Sequence, residues 1–197
     1  MFLPVDLQKA GTVNTNFDDA LAELEKQKRD LLAEVGEWSA EKLSYRPGPS
    51  EWSVMEMIDH LVKTETAILA AAREGLRKPH RIGWSDKVRT RFLQTVFMSD
   101  RKVKVPGSVT QVLPGSDLQW PLLLEQWQKS RWELQQFVQS HDYKLLSQGI
   151  FRHPVGGWMA MPEILNFFSV HLIHHNYQLV KIKNALRNSE MSNISGL

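Results

Sequence analysis

Apolar positions recur at spacings of three and four in four long stretches of this chain, which predicts four amphipathic helices. The first runs from about Asn16 to Val35, with Phe17, Leu21, Leu24, Leu31 and Leu32 on one face and Gly36 as its stop. The second opens at Ser53, where Ser53-Val54-Met55-Glu56 has the S-x-x-E form of a capping box, and ends between Gly75 and Pro79. The third is expected to start near Asp117 as N-cap, with Pro121 in its first turn and Trp120, Leu123, Leu124, Trp127, Arg131 and Leu134 along one stripe. The fourth is expected from about Met161 to Leu186, followed by a polar tail that frays after Asn188.

Between the second and third helices lies a different composition. Residues 77–115 are broken by Pro and Gly, and from Arg77 to Lys104 they carry nine Lys/Arg against two Asp. A short helix from about Asp86 to Met98 fits there. Strand signals are weak throughout. The pattern predicts an all-α fold: a four-helix bundle over residues 16–187, with a long crossover between helices two and three. An N-terminal extension, 1–15, and a polar C-terminal tail, 188–197, flank it.

Composition narrows the function classes. At 197 residues the chain can bury one sizeable core. A formal net charge of +2 gives no global electrostatic case for nucleic acid, although the basic crossover could meet a phosphate-bearing or acidic partner. No cysteine is present, which excludes disulfides, thiolate ligands and a Cys nucleophile. No apolar run reaches the roughly 20 residues of a membrane span. The N-terminus lacks the basic and apolar regions of a signal peptide. A cytoplasmic protein with no membrane partner is the expectation.

The candidate chemistry lies in histidines. His171 and His175 are four residues apart in an apolar run, so on a helix they share one face. A third, His60, sits in the apolar second helix. Three neutral imidazoles with open coordination positions make a catalytic type of divalent-metal site. His174 is the complication: it can replace a ligand, support one, or face outward. Glu56, one turn before His60, is a candidate general base or ligand as well as the capping residue. His153, in a Pro/Gly loop, is a candidate acid or base. Trp52 and Trp158 are candidates for lining a cofactor or substrate pocket, and Gln178 for orienting a ligand.

These residues resemble a known family. Glu51-Trp52-Ser53-Val54-Met55-Glu56-Met57-Ile58-Asp59-His60-Leu61 resembles the W-S-x-x-E-x-x-x-H-L signature of the DinB/YfiT-like superfamily, and Leu43-Ser44-Tyr45-Arg46-Pro47-Gly48-Pro49 its lead-in. His171-Leu172-Ile173-His174-His175-Asn176-Tyr177-Gln178 resembles its H-x3-H-x2-Q segment. The resemblance implies a four-helix bundle with metal ligands His60, His171 and His175, holding nickel or zinc. It implies metal-dependent transfer of a low-molecular-weight thiol, or hydrolysis, on a small-molecule substrate, and a homodimer. A non-enzymatic metal- or ligand-binding bundle is the alternative.

Overall fold

The computed structural model describes residues 15–98 and 107–195. Most of the expected N-terminal extension and the basic residues Arg101, Lys102 and Lys104 lie outside the described residues. Four long helices dominate: α1 (Thr15–Val35), α3 (Val54–Gly75), α5 (Trp120–Gln139) and α7 (Met161–Ser195). Shorter elements join them: α2 (Ala40–Ser44), α4 (Trp84–Phe97), a 3₁₀ turn at Gly107–Val112 and α6 (Tyr143–Leu146). Helix α1 packs on α7 and α5, and α3 packs on α5 and α7, so the four long helices close into a bundle.

The capping box forms as the sequence predicts. The Ser53 hydroxyl accepts the Glu56 N–H and the Glu56 carboxylate accepts the Ser53 N–H. Every residue from Ser53 to Val62 is buried, so the start of α3 is packed all round, not on one stripe. Leu24, Ile68, Leu134, Met161, Ile164 and Phe168 fill one part of the core. Leu31, Val54, Ile58, Leu61, Trp127 and Leu179 fill the other. Along α7 the first part ends at Val170 and the second begins at Leu172. His171 sits at the step between them.

Three local readings need correction. Helix α5 begins at Trp120 with Gln119 as N-cap, not at Asp117. Asp117 lies within a tight turn closed by Leu118 N–H to Ser116 O (2.7 Å), and its carboxylate accepts the Ser116 hydroxyl instead. Helix α7 continues to Ser195 where a frayed tail was expected. After Pro162 in its first turn, no Gly or Pro occurs before Gly196, and Lys42 pairs with Glu190 at 2.9 Å across to α2. The loop around His153 is a β-hairpin, β1 (Phe151–His153) and β2 (Gly157–Met159), with Arg152 opposite Trp158. Gly157 supplies the positive φ of its turn, 76°. Strands of three residues are too short to show a period of two.

Candidate metal centre

His60 from α3 and His171 and His175 from α7 point their Nε2 atoms at one another. His60 Nε2 lies 3.2 Å from His171 Nε2, and His175 Nε2 lies 3.0 Å from it. One ligand atom from each falls within 4.8 Å of the others, and all three residues are buried. The i, i+4 spacing on α7 and the facing position on α3 produce this convergence.

The hydrogen bonds on the far side of two rings decide their tautomers. His60 Nδ1 lies 2.7 Å from the Val112 carbonyl oxygen, and His175 Nδ1 lies 2.9 Å from Gln178 Oε1. Both partners are acceptors, so both Nδ1 atoms carry the proton and both Nε2 atoms present lone pairs. His171 can place one proton between itself and one neighbour, which leaves the other contact lone pair against lone pair. A cation resolves all three at once. Ligands about 2.0–2.1 Å from a tetrahedral zinc-type ion stand roughly 3.3 Å apart, close to the separations seen here. The donor set therefore fits a divalent ion.

Protonation is disfavoured at the same atoms. Burial, and then the neighbouring imidazoles, hold His171 and His175 well below the usual histidine range. Burial also lowers His60, against the opposing pull of the Val112 bond and Asp59. Neutral imidazoles are the form that binds a metal.

Aromatic rings wall the cluster. Trp52 lies over His60 with ring centroids 4.8 Å apart and stacks on His175 at 6.1 Å and 17°. Phe167 stacks on His171 at 5.3 Å and 24°, and Phe97 meets the same ring edge-on at 5.2 Å. His171 Nδ1 is buried and has no hydrogen-bond partner. On that side of the ring, packing takes the place of the hydrogen bond that His60 and His175 have. His174 is buried too, against Phe97 at 5.3 Å, and is not one of the converging three.

The remaining candidates are placed differently. The Glu56 carboxylate receives the Arg46 guanidinium, Nε at 2.7 Å with Nη2 on its second oxygen, besides capping α3. His153 Nδ1 accepts the Val155 and Gly156 N–H groups of the hairpin turn, at 3.1 and 3.0 Å. Phe167 lies between His153, 5.2 Å away, and His171. Trp158 stacks on His80 at 4.2 Å and 9°, and makes no ring contact with the three histidines. Sequence reasoning missed the Val112 carbonyl and the Arg46–Glu56 pair. A main-chain acceptor leaves no mark in residue identity, whereas Gln178 is readable because it follows His175 by three on one helix.

The sequence profile of the DinB superfamily matches residues 23–179. The chain belongs to the DinB superfamily. Among solved structures it is similar to YfiT from Bacillus subtilis, described as a probable metal-dependent hydrolase with an unusual four-helix bundle topology. The two are 14% identical, with 96% of this chain and 94% of that chain covered and a TM-score of 0.49. No curated protein matches the chain. Within this DinB-superfamily chain, the converging histidines come from two segments inside the matched range, His60 from the start of α3 and His171 and His175 from α7.

Proposed function

We propose that this chain is a metal-dependent enzyme acting on a small molecule, with a divalent ion, nickel or zinc, held by the Nε2 atoms of His60, His171 and His175. The observation that carries the reading is the convergence of three imidazole nitrogens in a buried site, with His60 and His175 at 3.2 and 3.0 Å from His171 and all three within 4.8 Å of one another. A bound divalent ion supplies Lewis acidity, lowering the pKa of a water for hydrolysis or of a low-molecular-weight thiol for S-transfer. Thiol transfer is preferred on family grounds.

The chain's own residues have distinct parts in this reading. Val112 and Gln178 keep the protons of His60 and His175 at Nδ1. Trp52, Phe97 and Phe167 keep water from the back of the rings. The long connection from α3 to α5 is a crossover that closes the site, contributing Phe97 on one side and Val112 on the other. Glu56 shares the α3 face of His60 and is the candidate proton carrier, a role in which it must exchange its bonds to Arg46 and the Ser53 N–H; His153 is committed to the hairpin turn. The protein works in the cytoplasm as a homodimer.

Elemental analysis of purified, tag-free protein tests the reading beside a triple variant, His60→Ala, His171→Ala and His175→Ala. Near one metal per chain, lost in the variant, is expected. No metal after loading with nickel or zinc would sink it. A second reading, metal or ligand binding without turnover, draws on the Glu56 carboxylate being already engaged by Arg46 and the Ser53 N–H. It predicts tight metal binding and no product across thiols and electrophiles.

A further inference from the structure

Helix α4 is built the wrong way round for a free surface. Its inner side buries Thr90, Leu93 and Phe97. Its outer side carries Trp84, Val88 and Phe92, four residues apart, with relative exposures of 80, 47 and 65%. These three side chains form a ridge about 12 Å long. Isolated exposed apolar residues are ordinary; a contiguous row with two aromatics marks a surface that something covers.

The charge around the ridge is predominantly positive. Lys78 and Arg81 precede it and Lys87, Arg89 and Arg91 flank it, all exposed. None of the five forms an ion pair among the described residues. Asp86 is the only acid from Arg77 to Met98, and its carboxylate already accepts the Gly83 and Trp158 N–H groups at 2.9 and 3.1 Å. Beside the ridge opens a cleft of about 400 Å³, which shares Lys87 and is also lined by Arg81, His80, Tyr143 and Ser147. Its one carboxylate, Glu163, accepts the Ala160 N–H.

We infer that the outer face of α4 docks on an anionic lipid surface. Trp84, Val88 and Phe92 enter the interfacial layer, the cations lie at headgroup level, and the cleft takes a headgroup phosphate. Exposed Trp and Phe with Lys and Arg alongside is the pattern that binds in the plane of such an interface. The ridge is convex, so it suits insertion into a fluid layer. A second copy is disfavoured, because apposing two α4 faces brings like charges together. No helix of the described residues is long and apolar enough to cross a membrane. Docking needs none, and it revises the expectation of no membrane partner.

Co-sedimentation of the full-length protein tests this, with phosphatidylcholine vesicles with and without phosphatidylserine. Binding to the phosphatidylserine vesicles alone is expected, weakening as salt rises. The Trp84→Ser/Phe92→Ser variant and the Arg81→Glu/Lys87→Glu variant should each lose on the order of tenfold or more in partition, with unchanged circular dichroism and metal content. Absence of binding to the phosphatidylserine vesicles overturns the inference, as does equal binding to both compositions or binding that survives both variants. A dimer in light scattering that Trp84→Ser/Phe92→Ser splits, without vesicle binding, assigns the face to a second copy and also overturns it.

Discussion

The Asp59 carboxylate accepts the Gly115 N–H at 2.8 Å, across the gap between α3 and the loop that precedes α5. Lys63 pairs with the same carboxylate at 2.7 Å and donates to the Leu113 carbonyl at 3.1 Å. These bonds hold the chain on both sides of Pro114. The next residue back from Leu113 is Val112, whose carbonyl fixes His60. Asp59 is thus a positioning residue, one place before His60 in sequence but acting on it through the loop.

Asp59→Ala should therefore weaken metal binding by roughly 10–100-fold, the range seen when a ligand's supporting partner is lost. It should also cost about 1–3 kcal/mol in stability, because the loop N–H loses its acceptor. Asp59→Asn keeps an oxygen for Gly115 and should fall between. Competition against a chromophoric chelator gives the affinity and a urea melt gives the stability. Equal affinities in all three proteins would rule out the relay through Val112.

His171 is held by rings, so its sensitivity should be steric. Phe167→Ala removes the stacked ring and leaves a cavity, costing about 3–5 kcal/mol. Phe167→Leu fills most of the space but not the plane, and should cost less stability while still lowering metal affinity. The check is the ratio of the two effects. If Phe167→Leu binds metal like the wild type, the flat stack is not what orients His171.

Arg131 forms a bidentate pair with Glu65 inside the bundle, at 2.9 and 2.7 Å, with both side chains 3% exposed. Burial pushes the Glu65 carboxyl up, and the Arg131 guanidinium pulls against it. Removing one partner leaves a buried charge, so Glu65→Ala or Arg131→Ala should cost about 3–5 kcal/mol. The double replacement Glu65→Ala/Arg131→Ala should cost much less than the sum. Chemical denaturation of the four proteins forms the test, and simple additivity would mean that the pair is not coupled.

His153 gives a pH signature. Burial lowers it from 6.5 to about 4, and protonating Nδ1 would also break its two turn bonds. The folded state therefore favours the neutral ring more than the unfolded state does. The resulting stability is fully present above pH 6.5, declines as pH falls, and is gone once pH drops below about 4. His153→Asn keeps a turn acceptor and cannot titrate, so its stability should vary less over that window. Thermal melts across the window decide it, and parallel curves would remove His153 from the account.

The parts of this molecule readable from sequence are those written in side-chain spacing. The Ser53–Glu56 box, the pair His171 and His175, and Gln178 three residues on are all local to one helix, so helical geometry alone relates them. Arg131 stands out in the stripe of α5, but its partner Glu65 is 66 residues away and no local period connects them. Val112 was invisible because it acts through its carbonyl. The hairpin was invisible because three residues cannot display alternation. The end of α7 was misplaced because polar composition suggested fraying, while the absence of a breaker and the Lys42–Glu190 contact carry the helix onward.

His60 belongs to α3, whereas His171 and His175 belong to α7. An ion held by all three would therefore cross-link two helices whose ligands His60 and His171 are 111 residues apart along the chain. Clips that close long loops act largely by restricting the unfolded chain. Metal affinity and the packing of α3 on α7 would then be coupled, and a substitution that loosens those helices would weaken both.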